Sequence, residues 1–182
     1  MAEFNKSFFE RGCDVIPLIN QGDANSDVTG DWVKLRDYTR VLVYMAKFGS
    51  EDVDDMALEF LQATDASGTS SKALNVSRYW TKTGTLTSAT VWTAGTLTTP
   101  IDKLAFGSSV PTGATRVIAD VNTSPLLLAV DIQSADLDVD GGFDWMTCFL
   151  GGANVDNSLL ITVTAILQGG RYPQLTPLSA IS

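Results

Sequence analysis

Arg40-Val-Leu-Val-Tyr-Met-Ala-Lys-Phe48 and Ile161-Thr-Val-Thr-Ala-Ile-Leu-Gln168 either alternate between apolar and polar positions or run apolar. A strand with one or two buried faces needs that pattern, because successive side chains point to opposite sides of a sheet. The same signature, rich in Val, Ile, Leu, Thr and aromatics, recurs between clusters of Gly, Asn, Asp, Ser and Pro. It predicts strands over 14–19, 32–35, 40–48, 56–63, 74–81, 116–121, 126–133, 143–150 and 159–168. Helical periodicity is scarce. Phe4, Phe8 and Phe9 share one face of a short helix or arm over 1–12, ended by Gly12. Strands in succession without intervening helices predict an all-β fold, an antiparallel β-sandwich or jelly-roll-like domain.

The connections have their own character. Thr64-Asp-Ala-Ser-Gly-Thr-Ser-Ser71 is small and polar between two strand patterns, which reads as the turn of a long hairpin. Residues 81–99 are dominated by threonine and glycine, and Gly-Thr-Leu-Thr occurs at 84–87 and again at 95–98. One echo is too little for a repeat architecture, so this region is expected to be a Thr-rich protruding hairpin. The tail, 169–182, holds two prolines and no period, which predicts an extended segment. Its Leu175, Leu178 and Ile181 either lie across the chain's own sheet or reach a partner. The three N-terminal phenylalanines pose the same choice between a cap on the domain's own core and an arm on a neighbouring subunit. No composition break divides the chain, so residues 1–182 read as a single domain, long enough to bury about 70% of its unfolded surface.

Charge narrows the function classes. Twelve basic residues stand against 21 acidic ones, for a net charge of −9. Nucleic-acid affinity rests on neutralising phosphates with Lys and Arg, and no basic block supplies it locally. No stretch approaches the ~20 apolar residues of a membrane span, and the N-terminal pattern is not that of a signal peptide. The expectation is synthesis in the cytoplasm, with no nucleic-acid or membrane partner. Cys13 and Cys148 are far apart, and the chain has no histidine. Two reduced thiols are expected, with no zinc site and no cofactor.

Candidate chemistry is thin. Asp136, Asp138 and Asp140 alternate before Gly141, as do the first oxygen donors of a calcium loop. The twelfth position of that loop, however, is Thr147, where a bidentate Glu belongs, and no helices flank it. A solvated acidic turn is the plainer reading, and it also covers Ser50-Glu-Asp-Val-Asp-Asp55. Without histidine there is no Ser-His or Cys-His pair, and Asp65, Ser67 and Lys72 sit in a turn-like segment. Paired carboxylates could hydrolyse glycosides, but among 21 acids some pair is always close. No catalysis is expected. Trp80 and Trp92, flanking the threonine-rich region, could stack on sugars if exposed, although aromatics in strands usually belong to the core.

Several stretches carry a resemblance. Arg40-Val-Leu-Val-Tyr44, Leu61-Gln-Ala-Thr-Asp-Ala-Ser-Gly-Thr-Ser-Ser-Lys-Ala73, Val130-Asp-Ile132, Leu137-Asp-Val-Asp-Gly-Gly-Phe-Asp144 and Arg171-Tyr-Pro173 together resemble a family of tailed-bacteriophage head-exterior structural proteins encoded near the major capsid protein. The 61–73 stretch followed by 137–144 is its specific part; residues 81–99 match least. The resemblance implies a capsid decoration or cement protein on the outside of a virion head, bound to the major capsid protein and to itself as a dimer or trimer. Phe4, Phe8, Phe9, Arg171, Tyr172, Leu175, Leu178 and Ile181 would then be the contact residues. The other function class is a glycan- or receptor-binding module of a virion spike or fibre, using Trp80 and Trp92.

Overall fold

A computed structural model of the chain describes residues 12–21, 27–48, 56–84, 86, 90–106, 115–117, 125–151 and 160–170. Two sheets pack face to face as an all-β sandwich. In the first, six strands lie in the order β1 (Asp14–Gln21), β13 (Leu160–Gln168), β4 (Arg40–Phe48), β11 (Leu126–Gln133), β7 (Val76–Thr83) and β8 (Thr93–Ile101), every neighbour antiparallel. The second runs β10 (Thr115–Val117), β9 (Lys103–Phe106), β5 (Met56–Ala63), β12 (Trp145–Gly151) and β2 (Val28–Thr29). Two short strands complete it: β3 (Val33–Lys34) pairs with β12, and β6 (Lys72–Ala73) pairs with β5. The β9–β10 pair is parallel; the others in this sheet are antiparallel.

Period-two alternation builds the core. From the first sheet, Val41, Val43 and Met45 of β4, Leu128, Val130 and Ile132 of β11, and Ile161, Val163 and Ala165 of β13 point inward and are buried. Met56, Leu58 and Phe60 of β5 and Met146, Cys148 and Leu150 of β12 meet them from the second sheet. Each Val, Leu, Ile, Met or Phe among them contributes on the order of 1.5–3 kcal/mol by leaving water, so this seam holds the two layers together. Lys47, also inward on β4, is fully buried.

One lateral edge is stitched shut. The Gly30 N–H donates to the Cys148 carbonyl at 2.8 Å, and the Asp31 N–H donates to the Leu18 carbonyl at 3.1 Å, so the chain between β2 and β3 bridges β1 to β12. The buried Thr147 hydroxyl donates to the Gly30 carbonyl at 2.8 Å. A side chain at position 30 would press within 2.9 Å of the Leu18 carbonyl oxygen, so glycine lets the two sheets approach there.

Two departures from the sequence pattern have clear causes. The expected hairpin around 64–71 is short: β5 pairs with only two residues of β6, after which the chain crosses to the other sheet as β7. The crossing is fixed by Leu74, fully buried, whose N–H donates to the Phe60 carbonyl at 2.8 Å. The strand expected from 143 begins at Trp145, because Phe143 lies beneath the Lys72 ammonium and outside the ladder. The arm residues Phe4, Phe8 and Phe9 and the tail residues Arg171, Tyr172, Leu175, Leu178 and Ile181 lie outside the described residues. The chain segments leading to them meet where the Gly170 N–H donates to the Gly12 carbonyl at 3.1 Å.

Candidate functional site

The two stretches that carry the sequence resemblance fold against each other. Gln62, on β5, is buried and holds both: its Oε1 accepts from the Asp138 N–H at 2.8 Å, and its Nε2 donates to the Ala73 carbonyl at 3.0 Å. Lys72, on β6, forms a hydrogen-bonded ion pair with Asp138. Its ammonium also lies 3.9 Å from the centroid of the Phe143 ring, a cation–π contact. The Gly141 N–H donates to the other Asp138 oxygen at 3.0 Å. Lys72 first, and then the Gly141 N–H, hold the Asp138 carboxyl below its ordinary range.

The 64–71 turn is locked from within. Asp65 Oδ1 accepts from the Ser67 N–H at 2.8 Å and from the Thr69 N–H at 3.2 Å. Its bonds to Thr69 and Ser67 lower its pKa, as expected for a carboxylate capping an Asx-type turn. Gly68 sits at φ +76° against the Trp32 indole, where a Cβ would lie 2.8 Å from the ring. Arg36 closes the far side with an ion pair to Asp144 at 3.2 Å. Lys72 is thus committed to Asp138 and Phe143, and Ser67 is exposed. What this cluster does is fasten two loops at one end of the sandwich.

The three alternating carboxylates have separate duties. Asp136 Oδ2 accepts from the Gln133 N–H at 2.8 Å, capping a single 3₁₀ turn over Ser134–Asp136. Asp138 is held as described, and Asp140 is exposed. Thr147 lies inside β12 with its hydroxyl turned to Gly30. Among the described residues no three His, Cys, Asp or Glu side chains are grouped as metal ligands. Burial pushes the Cys148 thiol far above its ordinary pKa, and both cysteines are free.

Trp80 and Trp92 come together with Tyr44 on the outer face of the six-stranded sheet. Pairing registers place Thr164, Tyr44, Ala129, Trp80 and Ala94 in one row across five strands. Trp80 is half-buried in that row. Trp92, just ahead of β8, is 37% exposed and meets the Tyr44 ring edge to face with centroids 6.4 Å apart. The Lys82 ammonium sits 5.3 Å from the Trp92 ring centroid. Val91 beside it is strongly exposed. Desolvation by this packing raises the Tyr44 pKa.

Sequence reasoning singled out the two loops and the two tryptophans. It missed Gln62, Trp32 and Phe143, whose importance arises from contacts across the fold: Gln62 and Asp138 are 76 positions apart, Lys72 and Asp138 are 66. A buried glutamine inside an apolar strand pattern was the available signal.

No family model and no curated protein matches the chain. Among solved structures it is similar to the SPBc2 prophage-derived protein YomS, with 12% identity, coverage of 85% of this chain and 91% of that one, and a TM-score of 0.42. A likeness that distant carries nothing about function.

Proposed function

We propose that the protein is a non-catalytic structural component of a tailed-phage virion, a decoration or cement protein on the head exterior whose partner is the major capsid protein. The observation that carries the reading is the fastening of 61–73 to 137–144 by Gln62, Lys72 and Asp138. Those stretches form the specific part of the resemblance to head-exterior proteins, and here they serve each other as scaffold. A doubly layered sandwich with fastened loops is rigid, as a cement protein must be to resist separation of the capsomers it bridges. The acidic balance suits a place outside the shell, away from the genome. Modest affinity per copy suffices, because an oligomer engages several capsid subunits at once and gains avidity.

The glycan-binding alternative depends on Trp80 and Trp92 offering flat faces. Trp80 is half-buried, and Lys82 lies over the Trp92 ring, so a sugar would have to displace that ammonium or use the other face.

The test is co-sedimentation of the full chain with expanded empty heads that lack it. Saturable binding is expected, and deletion of 171–182 is expected to abolish it while leaving the circular dichroism spectrum unchanged. No binding of the full chain overturns the cement reading; undiminished binding of the truncated chain removes the tail from the interface.

A further inference from the structure

The outer face of the six-stranded sheet carries apolar side chains beside Arg40, Arg78, Lys82 and Asp131, on the side where an antiparallel sheet ordinarily meets water with polar ones. Val15 pairs with Ile166, which pairs with Leu42; at the other end of the strands Leu160 pairs with Phe48. Val15, Leu160 and Phe48 are each 44–45% exposed. Between these rows lies the Tyr44–Trp80 row with Trp92 above it. Monomeric proteins rarely expose a contiguous patch of this kind.

We infer that this face is the contact surface for a second copy of the same chain, two six-stranded sheets packing face to face about a two-fold axis. Size supports this occupant. Six strands about 4.8 Å apart and the nine residues of β4, about 3.4 Å each, span a face on the order of 800 Å², matching the ~800 Å² each partner gives to a stable interface. Sheet faces pack on one another at a separation that interdigitating side chains fill, and a two-fold contact needs only one self-complementary patch. The inference stands on the described strands and is independent of the cement reading.

Light scattering with size-exclusion chromatography on the full chain tests it. The wild type is expected to be a dimer. Phe48→Lys combined with Leu160→Lys, both at exposed positions, is expected to raise the dissociation constant about 100-fold or more, because the charges would be buried unpaired. Val139→Lys, on an exposed apolar residue of the acidic turn, should leave the dimer intact. A wild-type monomer at millimolar concentration, a trimer, or a dimer unmoved by the double substitution overturns the inference. A second readout uses unsubstituted protein: tryptophan emission should shift to the red as dilution dissociates the dimer and wets Trp92. Dissociation without an emission change also overturns it.

Discussion

Gly68 and Gly84 both adopt left-handed backbone, at φ +76° and +79°, but in different surroundings. A Cβ at position 84 meets nothing within 4 Å, whereas one at 68 would enter the Trp32 indole. Gly84→Ala therefore carries only the left-handed strain, about 1–2 kcal/mol. Gly68→Ala adds an overpacking cost, bringing the loss to about 3 kcal/mol. Urea denaturation of both variants checks this, and equal losses would show that Trp32 yields freely. Gly95 makes a related demand without unusual backbone: the Tyr79 ring lies across it, in the space a side chain would fill. A glycine in a threonine-rich run looks like a flexible position in the sequence. Here it is the seat of a buried aromatic.

The loop fastening around Asp138 has a pH signature. Its carboxyl is held below its ordinary value of 3.8, so the folded state binds a proton less readily than the unfolded chain does. The stabilisation is present above that ordinary value and is lost as pH falls through the lower folded-state value. Asp138→Asn should thus lower the melting temperature at neutral pH, and the gap from wild type should close as pH falls through and below the lowered folded-state value. A gap independent of pH would place the effect in packing alone. The elements themselves were unevenly legible. Strands β4, β5, β11 and β13 could be read because neighbours on both sides and a buried face give them runs or alternations of apolar residues bounded by turn-forming clusters. Strand β8 was legible only as one arm of the Thr-rich hairpin expected over 81–99: an edge strand has one neighbour, and Thr93-Ala-Gly-Thr-Leu-Thr-Thr-Pro-Ile101 has no apolar period to mark its bounds. The change of sheet at Leu74 was equally silent, since a strand pattern does not say which layer receives it.

For the molecule as a whole, the two proposed contacts divide the labour. A face-to-face dimer leaves the ends of the sandwich, where the 64–71 turn and the 137–144 loop are fastened, free of the sheet interface. Two copies of the 171–182 segment in one dimer would then grip neighbouring capsid subunits, each raising the effective concentration of the other. Such a bridge stabilises a shell most where capsomers begin to part, so its effect belongs to the shell's rupture and not to the protein's own melting. Scanning calorimetry of expanded heads lacking the protein, run with and without saturating full-length chain, measures that effect directly. Addition of the protein is expected to raise the rupture temperature of the heads by several degrees; a rupture transition unmoved at saturation would contradict the cement function.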